Sequence, residues 1–227
     1  MRKAVFSINE LKKRTNKVLL FHSGTGKDSI ALLDLLHPHF DEIVCVYMYI
    51  IKDLEHINKY IYWAKKKYGV KFLQMPHYAM GSYIKHGFMG LKANPKQKLY
   101  TLADVNERAV LKTGIPWTVF GFKQSDSMNR RLMLRTYDCE ATINFDTKKA
   151  YPLSEYKNGD VLRYIKNKKL LTPINYGGHH QSSGTSLADI NFLLYCKYKF
   201  PNDYKKIIEQ FPETEHKVWQ YENRGNF

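Results

Sequence analysis

Short apolar runs alternate with polar, helix-like segments along most of the first 125 residues. Residues 17–21 (KVLLF) and 42–50 (EIVCVYMYI) are nearly continuous apolar runs, rich in β-branched and aromatic side chains. Such runs are typical of strands that are buried on both faces. Further strands are predicted at 70–75 and 117–122. Because the segments between the strands are long enough for crossovers, the pattern predicts an α/β fold with a doubly wound, mainly parallel sheet.

The segments between these strands predict helices. After Asp53, apolar residues recur at three- and four-residue spacing, which predicts an amphipathic helix that Asp53 caps and Gly69 ends. A polar helix over 7–16, capped by Ser7 or Asn9, precedes the first strand. The other helices of this part are predicted at 27–36 and 102–112, the second closed by Gly114.

The alternation stops near residue 150, and only helices are predicted beyond it. They comprise a short helix capped by Asn158 and longer ones over 186–198 and 203–211. We therefore expect an α/β domain over residues 1–150 and a helical C-terminal part over 151–227. Ligands of parallel sheets bind beyond the carboxyl ends of the strands, and the C-terminal part is expected to pack on that edge.

Composition narrows the class of protein. The chain has 227 residues, 44% of them hydrophobic and 25% charged, which is ordinary for a soluble globular protein. No apolar run approaches the roughly 20 residues that a membrane span needs. The N-terminus has no apolar segment of the kind found in signal peptides, so we expect no membrane association and a cytoplasmic location. The cysteines are far apart, without metal-ligand spacing, and are expected to be buried: Cys45, Cys139 and Cys196.

The formal net charge is +15, with the basic residues spread along the chain. Such a charge attracts polyanions, either nucleic acid or a phosphorylated small molecule. Simple solubility of a lysine-rich protein is the alternative.

The most informative segment is Ser23-Gly24-Thr25-Gly26-Lys27-Asp28-Ser29, which joins the first strand to the first long helix. A helix N-terminus at this position offers free N–H groups and about half a positive charge. The glycines allow an oxyanion to approach the backbone, the hydroxyls add donors and Lys27 adds a mobile cation. Asp28 either caps the helix or holds Mg²⁺ between phosphates.

Three other interpretations of this loop fit less well. The Walker A motif fails because Phe21 stands where its first glycine belongs and Asp28 follows Lys27. The dinucleotide fingerprint is weak because Ser29 takes the place of its third glycine. A plain strand-to-helix turn with a capping aspartate stays open.

The segment from Gly24 to Ser29 and the apolar residues after it resemble the PP-loop of ATP pyrophosphatases. Within that superfamily the chain is most similar to phosphoadenosine-phosphosulfate (PAPS) reductase-like proteins. The usual PP-loop is Ser-Gly-Gly-Lys-Asp-Ser; here Gly24 aligns with its serine and Thr25 with its first glycine. Ser23, one position earlier, is a candidate for the missing hydroxyl. Two further segments, 121–131 and 151–161, also resemble the family.

The resemblance implies an adenine nucleotide alpha hydrolase-like fold that binds ATP or a sulfonucleotide (PAPS or APS), with Mg²⁺. It implies an enzyme that cleaves ATP between the α- and β-phosphates and transfers AMP to a substrate. Lys27 would then neutralise phosphate charge and Asp28 would help to hold Mg²⁺. Gly121 and Lys123 would belong to the nucleotide site, while Lys123, Arg130 and Arg131 would clamp a second anionic group. For the two arginines, a solvated helix face is an equal alternative.

Other activities stay open at this point. True PAPS reductases use a cysteine in a C-terminal Glu-Cys-Gly motif, which this chain lacks, and Cys196 lies in a predicted helix. A sulfonucleotide enzyme and a non-catalytic nucleotide- or nucleic-acid-binding module are therefore the alternatives to an adenylating enzyme that modifies nucleic acid or transfers sulfur. The pair His179-His180 either reaches the site from a Gly-rich loop or lies on the surface. The sequence leaves the oligomeric state open.

Overall fold

A computed structural model describes residues 1–137, 142–177 and 186–224. Its strands are β1 (Lys17–Phe21), β2 (Glu42–Tyr49), β3 (Lys71–Pro76), β4 (Thr118–Val119), β5 (Ile143–Asn144) and β6 (Lys149–Ala150). Its α-helices are α1 (Arg2–Lys12), α2 (Lys27–Leu36), α3 (Glu55–Tyr68), α4 (Ala79–His86), α5 (Leu102–Thr113), α6 (Met128–Arg135), α7 (Asn158–Asn167), α8 (Ile190–Lys199), α9 (Pro201–Gln210) and α10 (Glu213–Glu222). A 3₁₀ turn at Phe88–Gly90 follows α4.

The strands form one six-stranded sheet in the order β3-β2-β1-β4-β6-β5. β1 is parallel to both β2 and β4, β4 is parallel to β6, and β5 is antiparallel to β6. The predicted α/β fold with a mainly parallel sheet is confirmed. The strand order reverses at β1, which has β2 on one side and β4 on the other. Such a reversal leaves a crevice beyond the carboxyl ends of the two strands, where open α/β sheets bind ligands.

Helices cover both faces of this sheet. Val18 and Leu20 belong to one core cluster with buried residues of α1, α2 and α7. Val119 joins the same cluster, whereas its neighbour Thr118 points to the other face and donates a hydrogen bond to Asn106 of α5, 2.8 Å away. Alternate residues of a strand face opposite ways, so α5 lies on the face away from this cluster.

The chain divides into two compact units. The first contains residues 1–47, 60–74 and 106–173, and the second contains 48–59, 75–105 and 174–227. Within the second unit, α8, α9 and α10 pack against one another. The proposed boundary at residue 150 stays a prediction.

Two predicted helix starts are wrong. α1 begins at Arg2 rather than at residue 7, so Ser7 and Asn9 lie inside the helix and do not cap it. α3 begins at Glu55, and Asp53 is not its cap but a turn residue with a φ of 57°. In the second unit, the carboxylate of Asp203 accepts hydrogen bonds from the amides of Glu55 at 2.6 Å and His56 at 3.0 Å. A carboxylate 148 residues away therefore caps the helix, which no local pattern could reveal.

Several elements differ from the pattern-based assignment. β4 is two residues long instead of six, and Asn158 is the first residue of α7 rather than its cap. α8 begins at Ile190, later than predicted, and α9 begins at Pro201, slightly earlier. Elements that the sequence did not predict are β5, β6, α4, α6 and α10. The two extra strands have two residues each, too few for a periodic signal.

Within the described ranges, no helix combines the length and apolar character needed to cross a membrane. Cys45 and Cys196 are fully buried, as predicted, and burial raises the pKa of both thiols. Cys139 and the pair His179-His180 lie outside the described residues.

Candidate functional site

In the first part of the loop after β1, the backbone amides donate to acceptors within residues 22–29. The amide of Ser23 donates to the hydroxyl of Ser29 at 2.9 Å, and the amide of Thr25 donates to the carbonyl of Ser23 at 3.1 Å. Between them, the amide of Gly24 donates to Nδ1 of His22 at 3.0 Å. Gly24 has a φ of 78°, a left-handed conformation that favours glycine. All three amides are therefore occupied within the loop.

The second part of the loop forms an open helix N-terminus. Gly26 is the N-cap residue of α2, and no side chain caps the helix. The hydrogen bond that opens the helix runs from the amide of Ile30 to the carbonyl of Gly26, at 3.2 Å. The amides of Lys27, Asp28 and Ser29 precede it and have no acceptor among the described residues. Their partial positive charge makes this end of α2 suitable for an oxyanion.

A side chain at position 26 would displace the Ser23 hydroxyl from its place in the loop. A Cβ there would lie 2.2 Å from the hydroxyl oxygen of Ser23, far inside van der Waals contact. The φ of Gly26, −77°, is ordinary, so the requirement is one of space. The absent side chain lets the Ser23 hydroxyl lie directly against the start of α2, where it also forms a 3.0 Å hydrogen bond with the hydroxyl of Ser29.

Two lysines converge on one carboxylate at this edge of the sheet. The ammonium groups of Lys27 and Lys123 lie 3.0 and 2.9 Å from Oδ2 of Asp28. Both lysines are almost completely buried, with 2% and 1% of their side chains exposed. Lys27 and Asp28 begin α2, and Lys123 follows the end of β4, so the reversal of strand order at β1 brings them together.

Asp126 completes this cluster. Its Oδ1 lies 2.8 Å from the Lys123 ammonium, and its Oδ2 accepts the Lys123 amide at 2.8 Å. Two cations and two carboxylates balance in formal charge, which explains how two lysines remain buried. Each ammonium has three donors, and among the described residues Lys27 uses one, to Asp28. The cluster therefore retains donors for an anion.

Gly121, two residues after the end of β4, allows the chain to approach α2 closely. A Cβ at this position would lie 3.0 Å from Cβ of Asp28, tighter than almost all real contacts. The predicted site residue Gly121 thus lies against Asp28, and its lack of a side chain leaves room for the Asp28 carboxylate to meet Lys123.

The segments of residues 121–131 and 151–161 are joined in the structure. The amide of Gln124 donates to the carbonyl of Ser154 at 2.8 Å, and the hydroxyl of Ser125 donates to the carbonyl of Tyr156 at 3.0 Å. These contacts fix the backbone immediately after Lys123. The segment from 151 to 161 therefore helps to position Lys123 through backbone contacts with the residues that follow it.

The two predicted anion-binding arginines have different surroundings. The Arg130 guanidinium lies over the ring of Phe122, with Cζ 3.3 Å from the ring centroid. Arg131, the next residue of α6, is exposed. α6 itself is capped by Ser127, whose hydroxyl accepts the amide of Arg130 at 3.2 Å. The stacking of Arg130 orients a planar cation, while Arg131 is presented to solvent.

Asp28 also has the feature expected of a cation ligand. Its Oδ1 is buried and has no hydrogen-bond partner among the described residues. A buried carboxylate oxygen rarely stays unpaired, so an unfilled interaction is expected there. Within residues 1–137, 142–177 and 186–224, no three His, Cys, Asp or Glu side chains group as a complete metal site. Mg²⁺ with a phosphate ligand needs only one or two protein carboxylates, so Asp28 fits that role.

Two residues of this site were not among the predicted ones. Asp126 was noted only as part of a resembling segment, although its spacing from Lys123 matches an ion pair. His22 was missed because the residue before a loop is usually read as the last residue of the strand. Its only signal in the sequence is a polar ring between Phe21 and Ser23, at a position where the strand is otherwise apolar.

No protein-family model matches this sequence, and no curated protein is similar to it. Among solved structures, the chain is similar to the NH3-dependent NAD synthetase of Campylobacter jejuni subsp. jejuni NCTC 11168, in complex with the nitrate ion. The TM-score is 0.48 and the identity 10%, over 99% of this chain and 95% of that chain. A likeness this distant transfers no property of that enzyme to the present chain.

Proposed function

We propose that this protein binds ATP with residues 23–29 and Lys123 and cleaves it between the α- and β-phosphates to adenylate a substrate. The observation that carries the proposal is the pair of buried lysines, Lys27 and Lys123, on one carboxylate beside the uncapped start of α2. Buried lysines are rare unless they are paired, and these two lie where an α/β sheet binds ligands.

A polyphosphate fits the donors of this site. The amides at the start of α2 would donate hydrogen bonds to the oxygens of one phosphate group, and the Lys27 and Lys123 ammonium groups would neutralise the charge next to it. The cluster has no formal net charge without ligand, so Asp28 and Asp126 keep the lysines in place until an anion arrives. A single carboxylate or sulfate would use only part of this set of donors.

The reaction follows from charge neutralisation at the leaving group. An oxygen of the acceptor attacks the α-phosphorus, a new O–P bond forms, and the bond from the α-phosphorus to the bridging oxygen breaks. The electron pair leaves with pyrophosphate, and the acceptor loses its proton to water. Lys27 and Lys123 would stabilise the charge that develops on pyrophosphate, and this step needs no protein nucleophile. Cys45 and Cys196 are both buried and carry raised pKa values, so neither is suited to thiol chemistry.

Asp28 would hold Mg²⁺ through Oδ1, the oxygen that neither lysine contacts. The ion, when bound, would neutralise charge on the phosphates. Asp28 would also keep Lys27 and Lys123 at a fixed separation through Oδ2. Oδ1 of Asp28 would then bind the metal ion, while Oδ2 binds the two lysine ammonium groups.

The acceptor would carry an anionic group of its own. Arg130 and Arg131 follow Lys123 within eight residues, and an arginine fork suits phosphate or sulfate oxygens. The net charge of +15 would attract a nucleic acid acceptor as well as a small anion.

The direct test is a titration with ATP, ADP, AMP and PAPS, each with Mg²⁺, followed by thermal unfolding. A ligand that binds only the native state raises the melting temperature. We expect ATP to raise it most, and Lys27→Met to reduce the rise. Lys66→Met, which removes one charge from the exposed end of α3, serves as the matched control.

Other outcomes of this titration would replace the proposal. Stronger stabilisation by PAPS than by ATP would identify a sulfonucleotide enzyme. No stabilisation by any nucleotide, together with salt-sensitive binding of DNA or RNA that Lys27→Met leaves unchanged, would identify a nucleic-acid-binding module. If ATP binds, release of AMP and pyrophosphate in the presence of candidate acceptors tests the reaction itself.

A further inference from the structure

The imidazole of His22 closes the first turn of the loop. His22 is only 3% exposed, and its Nδ1 accepts the amide of Gly24 at 3.0 Å. Its own amide still donates to the carbonyl of Val46 in β2, at 2.9 Å, so its backbone belongs to the sheet. A side chain that accepts the amide two residues ahead acts as Asn and Asp side chains do in Asx turns. His22 therefore links the rigid end of the sheet to the loop.

The hydrogen bond fixes the tautomer of this ring. Because Nδ1 accepts a hydrogen bond from the Gly24 amide, the neutral ring carries its own proton on Nε2. Nε2 is buried without a partner among the described residues, and the ring meets the edge of Phe72 with centroids 5.4 Å apart. Burial lowers the pKa of His22 to about 3, so Nδ1 stays an acceptor near neutral pH. A buried histidine with only one of its two ring nitrogens hydrogen-bonded is unusual. The contact with the Gly24 amide therefore indicates a specific role for His22.

The turn that His22 closes determines where Ser23 lies. Gly24 turns the chain through its left-handed conformation, and the Thr25 amide returns to the Ser23 carbonyl. The Ser23 hydroxyl is thereby directed back to Gly26 and Ser29 at the start of α2. Ser23 stands one position before Gly24, the residue that aligns with the serine of Ser-Gly-Gly-Lys-Asp-Ser, and this turn brings the Ser23 hydroxyl to the start of the helix.

We propose that His22 is a positioning residue for the phosphate-binding loop, which acts by holding Gly24 so that the Ser23 hydroxyl and the open amides of α2 face the same anion. This inference rests on the proposed binding of ATP. His22 would not touch the nucleotide, and its effect would pass through the Gly24 amide.

Two substitutions distinguish the contribution of the hydrogen-bond acceptor from that of the imidazole ring itself. His22→Leu removes the acceptor and keeps an apolar side chain in the buried space. His22→Asn provides an oxygen that can accept the Gly24 amide in an Asx turn. The matched control is His77→Leu, because Nδ1 of the half-buried His77 accepts the amide of Ala79 at 3.1 Å, the same contact in a different part of the chain.

The dissociation constants of Mg·ATP and of inorganic pyrophosphate are measured by calorimetry for the four proteins. We expect His22→Leu to weaken both by about tenfold, the value of one well-placed hydrogen bond. His22→Asn is expected to restore affinity to within about threefold of wild type, and His77→Leu to leave it unchanged. A general loss of stability would not produce recovery in the asparagine variant.

The two proposals fail in different ways. If the wild type binds neither ATP nor pyrophosphate, the proposed function is wrong. If the wild type binds ATP and His22→Leu binds equally well, or if folded His22→Asn is as weak as His22→Leu, the role of His22 is wrong while nucleotide binding stands. Should His22→Leu not fold, nitrogen chemical shifts of the wild-type ring decide, since a proton on Nδ1 or a ring that titrates near pH 6.5 overturns the inference.

Discussion

Lys27 and Lys123 share a single atom, Oδ2 of Asp28, at 3.0 and 2.9 Å. The two lysines are 96 residues apart in sequence, and each follows the end of one of two strands, β1 and β4, that are adjacent in the sheet. Their side chains are almost equally buried, but their other contacts differ. Lys123 also pairs with Asp126, whereas Lys27 pairs only with Asp28 among the described residues. The two lysines therefore have separable roles.

We expect Lys123→Met to destabilise the fold strongly and Lys27→Met to change stability little. Removal of Lys123 deprives both Asp28 and Asp126 of a buried partner, at a cost of about 3–5 kcal/mol. After Lys27→Met, Asp28 still has Lys123, and methionine fills the same space, so the change should stay within about 1 kcal/mol. Urea unfolding of both variants measures the difference.

For ATP affinity, measured on the folded fraction of each variant, we expect the opposite order, with the larger loss in Lys27→Met. Lys27→Met, although stable, is expected to lose at least about tenfold in affinity for ATP, because a charge-assisted contact is removed. Equal stability losses in the two variants, or an unchanged affinity in Lys27→Met, would contradict the separate roles.

Gly26→Ala should destabilise the protein through a single steric conflict, which displaces the Ser23 hydroxyl from the start of α2. The new Cβ would lie 2.2 Å from the Ser23 hydroxyl oxygen but 3.4 Å from its Cβ, which is an ordinary contact. Adding Ser23→Ala therefore removes the conflict. We expect the double variant to recover most of the stability lost in Gly26→Ala, measured by urea unfolding. If the stability losses of Gly26→Ala and Ser23→Ala simply add in the double variant, the close approach of Gly26 to the Ser23 hydroxyl is incorrect.

His22 should make stability depend on pH in a defined window. Its pKa falls from 6.5 to about 3 on folding, so between these values the unfolded chain binds more protons than the native chain. The native state is therefore destabilised as the pH falls below 6.5, by up to about 1.4 kcal/mol per pH unit. Asparagine does not titrate, so unfolding of wild type and His22→Asn at several pH values isolates this contribution. Parallel pH profiles would show that His22 is not buried as a neutral ring.

Asp203 should be the main determinant of the α3 N-terminus. Burial raises the pKa of Asp203. Hydrogen bonds from the His56 ring and from the amides of Glu55 and His56 lower it by more than burial raises it, so the net pKa is below 3.8. Its stabilisation is thus complete above pH 3.8 and is lost as the pH falls through the lowered folded value. We expect Asp203→Asn to cost about 2–4 kcal/mol at neutral pH, measured by urea unfolding. Asp53→Asn, at the residue that the sequence suggested as the cap, should cost almost nothing.

The sequence predicts local features of this fold well and long-range ones poorly. β1 and α2 have the predicted bounds because KVLLF and the helix after Gly26 carry strong local patterns. The cap from Asp203 and the meeting of Lys123 with Asp28 depend on contacts across about a hundred residues or more, which no periodicity reports. α6 was missed because it exposes Met128 and Leu132 and carries three arginines, so its apolar residues follow no simple buried face.

The loop shows the same limit at a smaller scale. Its composition predicted donors for an oxyanion, and the structure leaves open the amides of Lys27, Asp28 and Ser29. The sequence did not reveal that the amides of Ser23, Gly24 and Thr25 are satisfied internally, because this depends on the left-handed turn at Gly24 and the ring of His22. Which half of the loop has amides free to bind an anion is thus a result of conformation.

The most direct measurement is the response of individual backbone amides to Mg·ATP in nuclear magnetic resonance spectra of the ¹⁵N-labelled protein. We expect the largest shifts at Lys27, Asp28 and Ser29, a smaller one at Gly26, and almost none at Gly24, whose amide stays hydrogen-bonded to Nδ1 of His22. Amides of α2 that stay unchanged at saturating ATP, or shifts centred on Gly24, would contradict the claim that the start of α2 binds the phosphates.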